Sequence, residues 1–232
     1  VQPWGVAVQR DGAVVTAAHF TRRTDFGLNE NGHIVSSALN RSSWTVVLHK
    51  VNKDGGFESA SVLGDKSLNT FVFGGVAVDD NDNLYLAGRY RADTEVTFGS
   101  IELDPSDPLT DPDGDIYQSF LVKTDPDLQV LWGHNWGNGF HSGAEGLAVT
   151  PDGGVVVNGH FKDTVDFDPA DDGTDIHTAD LSSDRTDVTS VASRVAYLSK
   201  FTSDGGHEWA AIVDSALRQH VGNVAVDHLG RP

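Results

Sequence analysis

The fold of this protein is decided by residues 143–161, GAEGLAVTPDGGVVVNGHF, and by the places where their pattern returns along the chain. The tetrad at residues 146–149, GLAV, has counterparts at residues 5–8, 75–78 and 223–226. A turn rich in Asp, Asn and Gly and a second apolar run follow each of the first three tetrads. Two short apolar runs around such a turn predict a β-hairpin. The chain is therefore expected to contain three related hairpins and the start of a fourth.

Each repeat continues with two further predicted strands. A loop of variable length leads to a third strand that ends in Lys50, Lys123 or Lys200, and a Gly- or Asp-containing turn separates it from a fourth strand. A single four-stranded sheet cannot bury both of its faces alone, so such repeats are typical of the blades of a β-propeller. The sequence predicts an all-β protein with about three blades, each a four-stranded antiparallel sheet, plus one strand of a partial ring.

The repeat pattern also predicts boundaries. Blade 1 is expected at residues 1–70, blade 2 at residues 71–143 and blade 3 at residues 144–220, with the first strand of a fourth blade within residues 221–232. Propellers usually close with about four to eight blades. The remaining blades are therefore expected from a longer chain or from a second copy.

Composition excludes several classes of partner and site. The 34 acidic and 16 basic residues give a net charge of −18, which repels nucleic-acid phosphates and anionic lipid headgroups. The chain has no cysteine, which excludes disulfides, zinc–thiolate sites and cysteine nucleophiles. It also lacks an apolar run of the roughly 18 residues that a membrane-spanning helix needs. Neither nucleic-acid binding nor membrane insertion is expected.

The third repeat carries a resemblance to a known family. Its glycines at residues 143–146, its turn at residues 151–153 and its element at residues 164–169, TVDFDP, resemble the bacterial SBBP-type β-propeller repeats. That resemblance implies an extracellular or cell-surface protein built of repeats, mostly without an assigned activity. The first repeat departs from the pattern, because it lacks both the Phe-Asp-Pro element and a tryptophan on its fourth strand.

Residues 202–209, TSDGGHEW, resemble the Asp box of sialidase-like propellers. The carboxylate of Asp204 can accept backbone N–H bonds within its own turn while Trp209 packs between blades, which favours a structural role. A sialidase would also need a cluster of arginines beside a tyrosine nucleophile, and the sequence alone assigns no such set. A glycan hydrolase or lyase completed by further blades therefore stays an alternative function.

Two acidic segments are candidate calcium sites, because Ca²⁺ takes six to eight oxygen ligands. Both segments lie between the second and third strands of a blade, and neither matches the EF-hand pattern. A solvated acidic loop is the other interpretation. The candidate ligands are Asp104, Asp107, Asp111, Asp113, Asp115, Asp166, Asp168, Asp171, Asp172 and Asp175.

The remaining motifs point away from catalysis. His19, Arg89 and His160 occupy the same position in successive repeats and are expected to be packed or hydrogen-bonded second-strand residues. No serine nucleophile elbow, phosphate-binding loop or zinc-protease motif is present in the sequence. We expect a non-catalytic binding or scaffold module whose partner is a protein, a glycan or further blades. A structural spacer in a long surface protein is the third possibility.

Overall fold

The computed structural model describes residues 1–21, 23–27, 33–36, 44–63, 71–91, 96–99, 101–103, 117–137, 142–170, 173–179, 194–213 and 222–232. Over these residues the chain is all-β, and none of them forms a helix. The described residues also include no helix that could cross a membrane. The strands are β1 Gln2–Val8, β2 Val14–Phe20, β3 Arg23–Gly27, β4 His33–Ser36, β5 Thr45–Val51, β6 Phe57–Leu63, β7 Phe71–Val78, β8 Leu84–Arg91, β9 Val96–Phe98, β10 Ile101–Leu103, β11 Tyr117–Thr124, β12 Val130–Trp136, β13 Gly143–Val149, β14 Val155–Phe161, β15 Thr164–Asp166, β16 Ile176–Thr178, β17 Val195–Phe201 and β18 His207–Val213.

Three four-stranded antiparallel sheets repeat the same topology, which confirms the predicted fold class. Their strand orders are β1-β2-β5-β6, β7-β8-β11-β12 and β13-β14-β17-β18. In each sheet neighbouring strands are consecutive apart from a short hairpin inserted between the second and third strands. These hairpins, β3-β4, β9-β10 and β15-β16, stand where the sequence predicted only a loop of variable length. We refer to the three sheets as blades 1, 2 and 3.

Apolar side chains fill the space between successive blades. One buried cluster joins blades 1 and 2, with Leu48 and Leu63 from blade 1 and Phe98 and Phe120 from blade 2. A second cluster joins blades 2 and 3, and Trp136 and Tyr197 meet in it. The core thus lies between the sheets, as expected for sheets that cannot bury both faces alone.

The first strands of successive blades lie side by side, and their backbones approach closely at the tetrad glycines. A Cβ atom on Gly5 would lie 2.8 Å from Cα of Gly75, and one on Gly146 would lie 3.0 Å from Cα of Asn223. Only glycine fits such a contact without a shift of the neighbouring strand. Close packing therefore explains the glycine at the first and third tetrads, whereas Gly75 has a positive φ of 80° that favours glycine.

Residues 222–232 begin a fourth repeat, although not as a regular strand. Nδ2 of Asn158 donates to the carbonyl oxygen of Gly222 at 2.6 Å, which holds this segment against blade 3. Asp227 and Arg231 then close the same turn that follows the other first strands. Residues 222–226 lie beside β13 without being paired in a sheet, and residue 221 lies outside the described residues. The first strand of a fourth blade therefore stays a prediction.

Candidate functional site

The two edges of the blades are built differently. At one edge, which we call the turn edge, tight five-residue turns connect the first strand to the second and the third strand to the fourth. At the opposite edge, which we call the loop edge, lie the long connections from the second strand to the third, including the three inserted hairpins. Binding residues concentrate on loops that a rigid scaffold positions, and insertions within a repeat often map to the binding face. The loop edge is therefore the candidate binding face.

Three positions at the loop edge recur in every blade. The first is the residue before the tetrad glycine. The second is the residue before the buried aromatic residue of the second strand, and the third is the residue before the third-strand partner of that aromatic residue; the aromatic residues are Phe20, Tyr90 and Phe161. The strand registers place these positions in equivalent surroundings in all three blades. The sets are Trp4, His19 and Trp44 in blade 1, Gly74, Arg89 and Tyr117 in blade 2, and Glu145, His160 and Arg194 in blade 3.

An irregularity of the first strand positions one member of each set. The register of β1 shifts between Pro3 and Gly5, and that of β13 shifts between Ala144 and Gly146. Such β-bulges leave one residue without a direct partner and re-aim its side chain. The residues in the two bulges are Trp4 and Glu145, so the same backbone feature presents an indole in one blade and a carboxylate in another.

The blade 3 set is a chain of polar contacts. Nδ1 of His160 lies 2.9 Å from Oε1 of Glu145, and Nη1 of Arg194 lies 3.2 Å from Nε2 of His160. A guanidinium group can only donate hydrogen bonds, so Nε2 must accept and the imidazole must be neutral with its proton on Nδ1. That proton is donated to the carboxylate of Glu145. The contacts therefore assign both the charge and the tautomer of His160.

The electrostatics of this set agree with that assignment. Burial lowers the pKa of His160, and the charges of Arg194 and Arg89 lower it further against the opposing effect of Glu145. Burial acts to raise the pKa of Glu145, but the hydrogen bond from His160 and the charges of Arg89 and Arg194 oppose it, and the pKa lies below its ordinary value. At neutral pH the set holds an ionised carboxylate, a neutral imidazole and a guanidinium.

The blade 2 set adjoins that of blade 3. The guanidinium carbon of Arg89 lies 4.6 Å from the ring centroid of Tyr117, a cation–π contact. A Cβ atom on Gly143, the first residue of β13, would lie 3.3 Å from Cδ of Arg89. Glycine at this position lets the arginine side chain pass towards blade 3, where its charge reaches Glu145. Two arginines thus flank one carboxylate.

The blade 1 set is aromatic. The ring centroids of Trp4 and His19 are 5.6 Å apart, and those of His19 and Trp44 are 6.2 Å apart. His19 is buried, and burial lowers its pKa to about 4. Trp4 is 40% exposed, which is unusual for so large an apolar side chain on a strand of the fold. The set therefore offers an indole face backed by a neutral imidazole.

The described members of the second acidic segment use their carboxylates within the protein. Oδ1 of Asp166 accepts hydrogen bonds from the amides of Asp168 and Asp175, at 3.1 and 2.8 Å. Asp175 in turn accepts from the amide of Ala210 and contacts His177, both at 2.8 Å. Across the ranges given above, no group of three or more His, Cys, Asp or Glu residues could hold a metal. Asp104, Asp107, Asp111, Asp113, Asp115, Asp171 and Asp172 lie outside the described residues, and calcium binding stays a prediction.

A cavity of about 460 Å³ lies at the turn edge, between the first turns of blades 2 and 3 and the segment at residues 226–228. Its lining includes Asp79, Asp80, Asp152 and Asp227. Each of these carboxylates already contacts a basic side chain, at distances between 2.6 and 3.3 Å. The acidic lining is therefore neutralised within the protein itself.

The segment at residues 202–209 forms one of the tight turns. Oγ1 of Thr202 accepts from the amide of Gly206 at 2.9 Å and donates to Asp204. A Cβ atom on Gly205 would lie 3.1 Å from the indole of Trp132, on the preceding blade. The tryptophan that covers this turn is therefore Trp132, on blade 2.

Comparison with known proteins adds no relative. No protein-family model matches the chain, and no curated protein matches it significantly. The resemblance to bacterial SBBP-type repeats stays a prediction.

The loop-edge sets were only partly visible in the sequence. The equivalence of His19, Arg89 and His160 follows from their spacing after the tetrads, and the structure agrees that both histidines are buried. Glu145 and Arg194 were missed, because a β-bulge and a loop of variable length precede them. The residue before each tetrad glycine was the available signal.

Proposed function

We propose that this chain is a non-catalytic binding module of a bacterial surface or secreted protein, and that it holds its ligand at the loop edge. One observation carries the proposal: the same three loop-edge positions present an aromatic set, an arginine–tyrosine set and an ionic set on one repeated backbone. A repeat scaffold that keeps its frame and changes the side chains at one edge is suited to recognition. The location follows from the resemblance to surface-protein repeats.

A glycan is the ligand class that fits these side chains best. The exposed face of Trp4 suits the apolar face of a sugar ring, since large aromatic side chains often dominate binding energy. Arg89, Arg194 and Glu145 provide donors and an acceptor for hydroxyl or carboxylate groups. A protein partner is the other class expected from the sequence.

Binding to an array of neutral and carboxylated bacterial glycans tests this proposal, with titration calorimetry on any glycan that binds. We expect Trp4→Ala to weaken binding at least about tenfold, the loss of roughly 1.4 kcal/mol. Asp54→Asn is the matched control, because Asp54 is exposed at the turn edge. Equal losses in the two variants, or binding only to a protein partner, would contradict the glycan proposal.

A glycan hydrolase is the second candidate, and one observation favours it. The structure gathers Arg89, Arg194, Tyr117 and Glu145 at adjacent loop-edge positions, and a tyrosine beside arginines is the arrangement that sialidase chemistry uses. Turnover of a fluorogenic sialoside separates the two candidates. A hydrolase would show turnover that Tyr117→Phe abolishes, whereas a binding module shows none in either protein.

A further inference from the structure

The lysine that ends each third strand has the same role at both contacts between blades. Nζ of Lys50 donates to the carbonyl oxygen of Pro126 at 3.3 Å, and Nζ of Lys123 donates to that of Ser203 at 2.8 Å. Pro126 and Ser203 are both the second residue of the five-residue turn between the third and fourth strands of the next blade. Each lysine therefore binds the same carbonyl of the blade that follows.

Blade 3 carries the same lysine, with carboxylate contacts on its own blade of the kind that Lys50 makes with Glu58 at 3.4 Å. Nζ of Lys200 lies 2.8 Å from Oδ2 of Asp152 and 2.8 Å from Oε2 of Glu208, both on its own blade. Its neighbour on the fourth strand, Trp209, is equivalent to Trp132, whose Nε1 donates to the carbonyl oxygen of Ser203 at 3.3 Å. Blade 3 thus carries the counterparts of Lys123 and Trp132, the two side chains of blade 2 that bind the turn of blade 3.

We call the face of blade 3 that carries Lys200 and Trp209 its outer face. The start of a repeat already lies along one edge of this face. Residues 222–226 lie beside β13 as β7 lies beside β1, with Gly146 against Asn223 in the close backbone contact that Gly5 makes with Gly75. Residues 227–231 then close the turn that elsewhere leads into a second strand. The start of a repeat thus adjoins the face that carries Lys200, as it adjoins the face that carries Lys50 or Lys123 at the two contacts between blades.

We infer that the outer face of blade 3 binds a fourth four-stranded sheet of the same type, whose first strand and first turn are residues 222–232. In that arrangement Lys200 also donates to the second carbonyl of the new sheet's turn between its third and fourth strands, as Lys50 donates to Pro126 while it contacts Glu58. Trp209 lies over the same turn, and Val213, which is 51% exposed, becomes covered.

A chain extended by one sheet tests this inference. Pro232 is equivalent to Val155 of blade 3. A second copy of residues 156–213 placed after Pro232 therefore completes a fourth sheet. The copied residues come from blade 3, whose inner face packs against blade 2 in the present chain. Lys200→Met is introduced into both the present and the extended chain, and thermal unfolding is measured. Lys50→Met is the matched control, because its contact is the same in both chains.

We expect Lys200→Met to leave the unfolding midpoint of the present chain within about 1 °C. In the extended chain we expect it to lower the midpoint by at least about 2–4 °C, the shift that a lost interaction produces in a protein of this size. Lys50→Met should act equally in both chains. Trp209 should also become more buried in the extended chain than in the present one, as tryptophan fluorescence reports.

Three results would overturn the inference. In the first, Lys200→Met destabilises the present chain as much as Lys50→Met does. The contacts of Lys200 with Asp152 and Glu208 would then account for its contribution without a fourth sheet. In the second, the appended segment remains protease-sensitive, or it folds with no dependence on Lys200. In the third, sedimentation shows that the present chain forms a dimer that Lys200→Met dissociates, which would make a second copy the occupant.

Discussion

The same strands connect the turn edge and the loop edge of these blades. The turn edge repeats its backbone hydrogen bonds from blade to blade, whereas the loop edge changes its side chains. At the turn edge, four turns after a first strand and three after a third strand, seven in all, share the same pair of backbone hydrogen bonds. At the loop edge, equivalent positions carry an indole, a glycine or a carboxylate. The comparison indicates that the turn edge holds the blades together and that the loop edge is available for recognition.

The cause of the difference lies in the backbone. Each five-residue turn places its fourth residue at positive φ, from 63° at Asp82 to 94° at Gly205, and glycine takes this conformation most easily. The first residue of several turns accepts amide hydrogen bonds, as Asn52 does from Gly56 at 2.8 Å. These requirements limit which residues can occupy the first and fourth positions of the turns. A β-bulge imposes no such limit on its side chain.

The largest expected effect follows from removing a charge that joins two blades at the turn edge. Nζ of Lys123 lies 3.3 Å from Oδ2 of Asp79, and both side chains are almost fully buried. Lys123→Met leaves the carboxylate of Asp79 buried without its cation and removes the shorter of two hydrogen bonds to the carbonyl of Ser203. We expect a loss of about 3 kcal/mol in the free energy of unfolding, measured by urea denaturation. Lys50→Met should cost less, because its partner Glu58 is 35% exposed.

If the two lysine variants lost equal stability, burial of the ion pair would not be the cause. A loss from Lys123→Met below that of an exposed substitution such as Asp54→Asn would contradict the assignment of the turn edge as the edge that joins the blades.

The second effect concerns the loop edge and depends on pH. Burial holds the pKa of His19 at about 4, below its ordinary value of 6.5. Between these values the unfolded chain binds a proton that the folded chain does not, so stability is complete above about pH 6.5 and falls as the pH drops towards 4. His19→Phe should remove as much as about 3 kcal/mol of that pH dependence, because each pKa unit corresponds to about 1.4 kcal/mol.

Urea denaturation at pH 7.5 and pH 4.5 measures this difference for both proteins. His134 and His160 also have lowered pKa values, chiefly through burial, and should leave a smaller slope of the same sign in the variant. An unchanged slope in His19→Phe would show that His19 is protonated, or solvated, in the folded protein.

The sequence predicted the parts of the fold that depend on local pattern. The tetrads, the apolar second strands and the Asp- or Gly-containing turns follow strand periodicity and turn chemistry, and the four-stranded topology follows from their repetition. Leu128 shows the limit of turn patterns. It takes the positive φ that glycine usually takes, and its buried side chain in the core between blades 1 and 2 offsets the strain.

The candidate site could not be predicted to the same depth. Glu145 and Trp4 meet their partners through bulges, which alternation of polar and apolar residues does not reveal. Arg194 follows a connection of a length unlike those before Trp44 and Tyr117. Composition also does not show which carboxylates of the acidic segment at residues 166–175 accept backbone amides, as Asp166 does.

The smallest effect separates the shared backbone of the turns from their different surroundings. Gly55 and Gly205 occupy the same turn position, with φ of 83° and 94°. A Cβ atom on Gly55 would have nothing within 4 Å, whereas one on Gly205 would lie 2.7 Å from Nε2 of His134 and 3.1 Å from the ring of Trp132.

Gly55→Ala should therefore cost about 1 kcal/mol, the penalty of a left-handed backbone for a residue with a Cβ atom. Gly205→Ala should cost about 2 kcal/mol, because the preceding blade must also shift. Equal costs in urea denaturation would mean that His134 and Trp132 move aside freely, and the surroundings of the turn would then add nothing to the cost set by its backbone.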